Sequence, residues 1–112
     1  MGFISVAAGA FGAHALKHKL TQEMLAIFEV GARYQMYHAL AICLAAWAST
    51  VTPGMLAPLS GWLFFAGTLI FSGSLYALAL TDIKLLGAIT PIGGVLLLIG
   101  WLCLAFAACK AI

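Results

Sequence analysis

At 112 residues, 65% hydrophobic and only 7% charged, with a mean hydropathy of +1.16, this chain has too few charges to solvate a globule; soluble domains use about a quarter charged residues. Its apolar surface must face lipid or other protein, so it reads as an all-α, polytopic membrane protein. A net charge of +2 with scattered basic residues excludes a nucleic-acid surface.

The first apolar run, Gly2 to Leu16, is short against the about 20 residues that a spanning helix needs. It lacks the basic start of a signal peptide, and His14 and further basic residues close it. Either its helix starts with the amino group at the lipid edge, or the chain begins late. Ser5, Gly9 and Ala13 recur four apart, and Ala8 and Gly12 repeat the spacing, which lets another helix approach closely. Intramolecular packing is the expected use of this pattern.

Lys17 to Lys19 interrupt the apolar run. Thr21 suits an N-cap, and Gln22 and Glu23 suit a first helical turn. Apolar Met24, Leu25 and Phe28 then alternate with Glu23, Glu29 and Arg33, predicting a short amphipathic helix over 21–34 that lies at the interface or bends into the second span. The second span covers 35–49. Val51-Thr52-Pro53-Gly54 marks a turn, and the third span follows over 59–80. Thr68, Ser72 and Tyr76 make a polar stripe along it at i,i+4 spacing, available either for bonds to neighbouring helices or as one wall of a path. Thr81 to Lys84 form a minimal loop, and the fourth span runs over 85–109. Pro91 crowds the carbonyl of Gly87, predicting a kink at Gly87, Pro91, Gly93 and Gly94. The expected architecture is one domain over 1–112 with four transmembrane helices.

Lys17, Lys19, Arg33 and Lys84 all precede or connect spans on one side, which places loops one and three in the cytoplasm or matrix and both termini opposite. Trp47, Trp62 and Trp101 are expected near the opposite interface, and Tyr34, Tyr37 and Tyr76 near the basic side.

Most of the polar chemistry gathers in Glu29, Arg33, Tyr34, Tyr37 and His38, with His14 near the basic-side end of span one. Tyr34 and His38 share a helix face. Glu29 and Arg33, also four apart, read as an interfacial ion pair. His14 and His38, if they meet at one depth, offer two imidazoles to a haem or metal; the alternative is hydrogen bonding across the helix pair, and no cofactor is the leading expectation. Cys43, Cys103 and Cys109 form no CxxC pair and read as small packing residues. No nucleophile–base spacing or phosphate-cradling loop is present, so an enzyme is not expected.

Four segments carry a family likeness: Gly9-Ala10-Phe11-Gly12-Ala13-His14-Ala15-Leu16, Tyr34-Gln35-Met36-Tyr37-His38-Ala39-Leu40, Phe71-Ser72-Gly73-Ser74-Leu75-Tyr76 and Gly87-Ala88-Ile89-Thr90-Pro91-Ile92-Gly93-Gly94. In that order they resemble the small membrane proteins called domain of unknown function 423, which include eukaryotic transmembrane protein 256. The resemblance implies a four-helix protein of bacterial plasma membranes or mitochondria with no established activity. Its members have further apolar residues before the first motif, which favours a late start here. The motif positions are His14, Tyr34, His38, Ser72, Gly73, Tyr76, Pro91, Gly93 and Gly94. The leading functional expectation is a non-enzymatic accessory or organising subunit whose partners are membrane lipid and other membrane subunits or itself. The alternatives are a channel or carrier for a small solute, and a haem- or quinone-binding redox module on His14 and His38.

Overall fold

The computed structural model describes residues 1–111. Four helices follow one another: α1 (Gly2–His14), α2 (Gln22–Val51), α3 (Leu56–Thr81) and α4 (Thr90–Ala111), with short 3₁₀ turns at Leu16–His18 and Lys84–Ala88. Among the described residues there is no strand.

Thr21 caps α2 as its residue type predicts, its hydroxyl accepting the Met24 amide at 3.2 Å. The chain does not pause between the amphipathic segment and the second span. The expected segments 21–34 and 35–49 merge into one uninterrupted 30-residue helix, Gln22–Val51, about 45 Å long at 1.5 Å per residue. Nothing between Glu29 and His38 breaks a helix except Gly31, and a single glycine is tolerated. The 3₁₀ turn at Leu16–His18 makes the break further back, after α1.

Pro91 does not kink a helix. α4 begins at Thr90, so Pro91 occupies its first turn, where the amide it lacks would have had no partner inside the helix. Gly87 lies in the separate 3₁₀ turn, and α3 ends at Asp82, which adopts the left-handed conformation (φ 56°). The other sharp turn uses Gly54 at φ 84°.

α3 is the centre of the molecule. It packs extensively against both α2 and α4, α1 rests on α2, and α2 and α4 barely touch. The result is flat, with extents of 50 × 26 × 15 Å. Small residues set the spacing. The main core joins Ala41, Ala45 and Ala48 of α2 to Ala57 and Phe64 of α3 and Leu97, Leu104 and Ala107 of α4. Gly67 and Gly93 mark the α3–α4 crossing, since a Cβ on Gly93 would lie 2.8 Å from the Gly67 carbonyl oxygen. At the other end, Leu16, Phe28 and Ala79 form a second cluster, with Gly12 of α1 facing the Phe28 ring.

The polarity is inverted relative to a water-soluble bundle. Ser5, Gln35, His38, Ser60, Thr68, Ser72 and Ser74 are buried, while Phe3, Trp62, Leu85 and Leu98 lie on the outside. α3 and the stretch Lys84–Lys110 are each long and apolar enough to cross a membrane, whereas Gly2–His14 is apolar but shorter. α2 has the length, but Tyr34, Gln35, Tyr37 and His38 dilute its apolar character midway.

Candidate functional site

The helical repeat of α2 puts Phe28, Gly31, Ala32, Gln35, His38, Ala41, Ala45 and Ala48 on its buried side. Gln35 and His38 are thereby drawn into the bundle with the small residues, one turn apart, and each must find partners there.

Gln35 is a hub between three helices. Its amide nitrogen donates to the Met1 carbonyl at the start of α1 (2.9 Å), and its carbonyl oxygen accepts from the Tyr76 hydroxyl of α3 (2.7 Å). Ser72, one turn before Tyr76, donates to the Gly31 carbonyl of α2 (2.7 Å), and Ser5 of α1 donates to the Ala32 carbonyl (2.6 Å). Ser74 and Thr90 pair at 2.6 Å and tie α3 to the start of α4. Thr68 is the exception: among the described residues its hydroxyl is the one buried side-chain polar atom without a partner.

His38 joins α2 to α4. Trp101 donates its indole N–H to Nε2 of His38 (3.1 Å), and Nδ1 lies 2.7 Å from the Tyr34 carbonyl oxygen. An indole N–H can only donate, so Nε2 is the acceptor and the partners assign the proton to Nδ1, which donates to Tyr34. The imidazole sits among aromatic rings, with centroids 5.6 Å from Phe64 and 5.9 Å from Trp101, while Tyr34 packs on Phe71 at 5.2 Å. Beside this pair the separation of α2 and α4 leaves a groove of about 370 Å³ whose lining includes Tyr34, His38, Phe71, Gly94, Leu98 and Trp101.

The two histidines of the haem or metal alternative do not meet. His14 is exposed at the end of α1 just past Gly12, which faces Phe28, almost three turns of α2 short of His38. Both nitrogens of His38 are hydrogen-bonded, Nδ1 to Tyr34 and Nε2 to Trp101. Among the described residues no group of three or more His, Cys, Asp or Glu is gathered to hold a metal ion.

Glu29 and Arg33 are exposed and line a shallow groove against Ser5, Val6 and Gly9, and among the described residues they form no salt bridge. Tyr37 is half exposed and meets Tyr34 edge-on at 5.6 Å. In the stripe of α3, Ser72 and Tyr76 turn to α2 and Thr68 is buried without a partner. Gly93 is pressed against α3, Gly94 has room, and Gly73 has open space around it. Cys43 and Cys109 face outward and do not fill the interior.

Trp101 departs from the expected aromatic belt. It lies midway along α4 at the level of His38, whereas Trp47 and Trp62 remain on the outer surface. The bonding roles of Gln35, Ser5, Ser74, Thr90 and Trp101 are not apparent from their spacing. A usable signal is present in Trp101, a polar-tipped side chain deep inside an apolar stretch, where an unpaired donor is costly.

Comparison with known proteins agrees with this inside-out bundle. The chain is 50% identical over 107 residues to the UPF0382 membrane protein SAB0533 of Staphylococcus aureus (strain bovine RF122 / ET3-1), covering 96% of this chain and 87% of that protein. It is 44% identical over 108 residues to the UPF0382 membrane protein YwdK of Bacillus subtilis (strain 168), covering 96% and 88%. No solved structure matches it. Residues 8–94 match the family described as "Protein of unknown function (DUF423)", and the chain belongs to that family of membrane proteins.

Proposed function

We propose that this is a four-span integral protein of the bacterial plasma membrane that performs no chemistry and serves as an accessory or organising subunit of a membrane assembly. The observation that carries the reading is how the interior polar groups are used. Ser5, Gln35, Ser72, Ser74, Tyr76 and Trp101 each bond a neighbouring helix. They hold the bundle together, and in the polar stripe of α3 Ser72 and Tyr76 bond α2, the helix-bonding use of the stripe. The exterior is apolar and the helices are joined by short turns. Such a protein offers its surroundings surfaces to pack on. α2 crosses with the others in this reading because Gln35 and His38, which lower its apolar character, are satisfied inside the bundle. The loops bearing Lys17, Lys19 and Lys84 face the cytoplasm.

Native mass spectrometry of the protein released gently from its own membranes tests this. A second protein at fixed stoichiometry is expected. A lone chain or a homo-oligomer, together with saturable solute flux in liposomes, would replace this reading with transport.

A further inference from the structure

The groove between α2 and α4 holds one polar pair within otherwise apolar walls. Tyr34 and Phe71 line one side, and Trp101 lies among aliphatic residues of α4 on the other. A plain hydrocarbon slot would take any acyl chain. This one contains a donor and an acceptor that face each other, the Trp101 N–H and Nε2 of His38, 3.1 Å apart.

The two halves differ in freedom. His38 is 5% exposed, bonded through Nδ1 to its own helix and packed on Phe64. Trp101 is 42% exposed, on a helix that barely touches α2. The indole is the half nearer the lipid, and its ring also packs on Phe64, at 4.9 Å, so it must slide along that ring for the bond to open. A hydroxyl is the smallest group that satisfies both, its oxygen accepting from Trp101 and its proton donated to His38. Inserting it requires the two nitrogens to part to about 4.5–5 Å, the span of two hydrogen bonds of about 2.8 Å at a tetrahedral oxygen. An ether or ketone oxygen has no proton for Nε2 and leaves it unpaired. No charged side chain lines the groove, so a neutral ligand fits best.

We propose that the α2–α4 groove binds a membrane-dissolved alcohol, with its hydroxyl between Trp101 and His38 and its apolar body against Tyr34, Phe71 and Leu98. Binding exchanges one hydrogen bond inside the protein for two to the ligand and fills a groove of about 370 Å³.

The probe is geranylgeraniol, with its methyl ether as control, added to the full chain in nanodiscs. Radiolabelled binding gives the affinity. The emission of Trp101, isolated by Trp47→Phe and Trp62→Phe, gives the site. Saturable binding of the alcohol with a shift in Trp101 emission is expected, with the ether weaker by about tenfold for one lost hydrogen bond. Trp101→Phe keeps the ring on Phe64 and is expected to weaken the alcohol by a similar factor. His38→Ala also removes a buried packing group, so Gly94→Leu carries the test of location. A Cβ there meets the Phe71 ring at an ordinary 3.8 Å, and the rest of the side chain occupies the groove. Its binding is expected to vanish while its helical circular dichroism is kept. Absence of saturable binding, equal binding of alcohol and ether, or undiminished binding by folded Gly94→Leu would each overturn the proposal.

Discussion

Gly93 of α4 lies against Gly67 of α3 with so little clearance that a Cβ on Gly93 would stand 2.8 Å from the Gly67 carbonyl oxygen and 2.5 Å from the Phe71 amide nitrogen. Both obstructing atoms are backbone, so neither can swing away as a side-chain tip would. Gly93→Ala is expected to destabilise the bundle by about 2–3 kcal/mol by forcing α3 and α4 apart. Gly94→Ala, whose Cβ meets only ordinary contacts, is expected to be neutral. Thermal unfolding of the two variants in the same detergent checks the contrast, and equal midpoints would contradict it.

Tyr76 and Gln35 are coupled. Tyr76→Phe leaves the Gln35 carbonyl oxygen without its donor at 2.7 Å, and is expected to cost about 1–2 kcal/mol for an unpaired buried acceptor. Combined with Gln35→Leu the further loss should be much smaller than the sum, since the partner has already gone. A double-mutant cycle measures this, and strict additivity would mean that the bond carries no energy.

The histidines are unequal. His14→Ala alters an exposed residue at a helix end and is expected to change stability by less than about 0.5 kcal/mol. His38→Ala deprives the Trp101 N–H of its acceptor and opens space beside Phe64, with an expected loss of about 2–3 kcal/mol. Thermal unfolding separates them. Equal effects would place His38 outside the core.

Pro91→Ala is expected to leave both stability and the α3–α4 distance unchanged, within about 0.5 kcal/mol, because the ring sits exposed in the first turn of α4. Spin-label distances between the ends of α3 and α4 check it. A shift in them would restore the kinked helix that the spacing of Gly87 and Pro91 suggests.

If loops one and three are cytoplasmic, Lys84→Cys is expected to react with a membrane-impermeant maleimide only in inverted vesicles, and Thr52→Cys, at the opposite turn, only in intact cells. Background labelling by native Cys43, Cys103 and Cys109 is removed with Ser substitutions. Labelling of both sites from one side would refute the four-span arrangement.

Composition alone determined that this chain meets lipid or protein on nearly every face, and local residue chemistry determined the start of α2 and the turn that follows it. Thr21 caps α2 because a threonine hydroxyl can accept an amide three residues on, and the turn at Gly54 follows from Pro53-Gly54; both rest on neighbours in the chain. What tertiary structure decided is which distant atoms meet. An i,i+4 pattern shows that Thr68, Ser72 and Tyr76 share a face, yet only the packing of α3 on α2 turns two of them to Gly31 and Gln35 and leaves the third unpaired. Trp101 read as an interface anchor because its distance along the chain suggested a helix end. It became the partner of His38 because α4 starts late, at Thr90, and its middle then falls at the middle of α2. The sequence places both His14 and His38 near a loop, which allows them to meet, but α2 runs unbroken from Gln22 and carries His38 deep into the bundle. Depth within a bundle depends on helix starts, lengths and packing partners together, and side-chain periodicity reports only direction around a single helix axis.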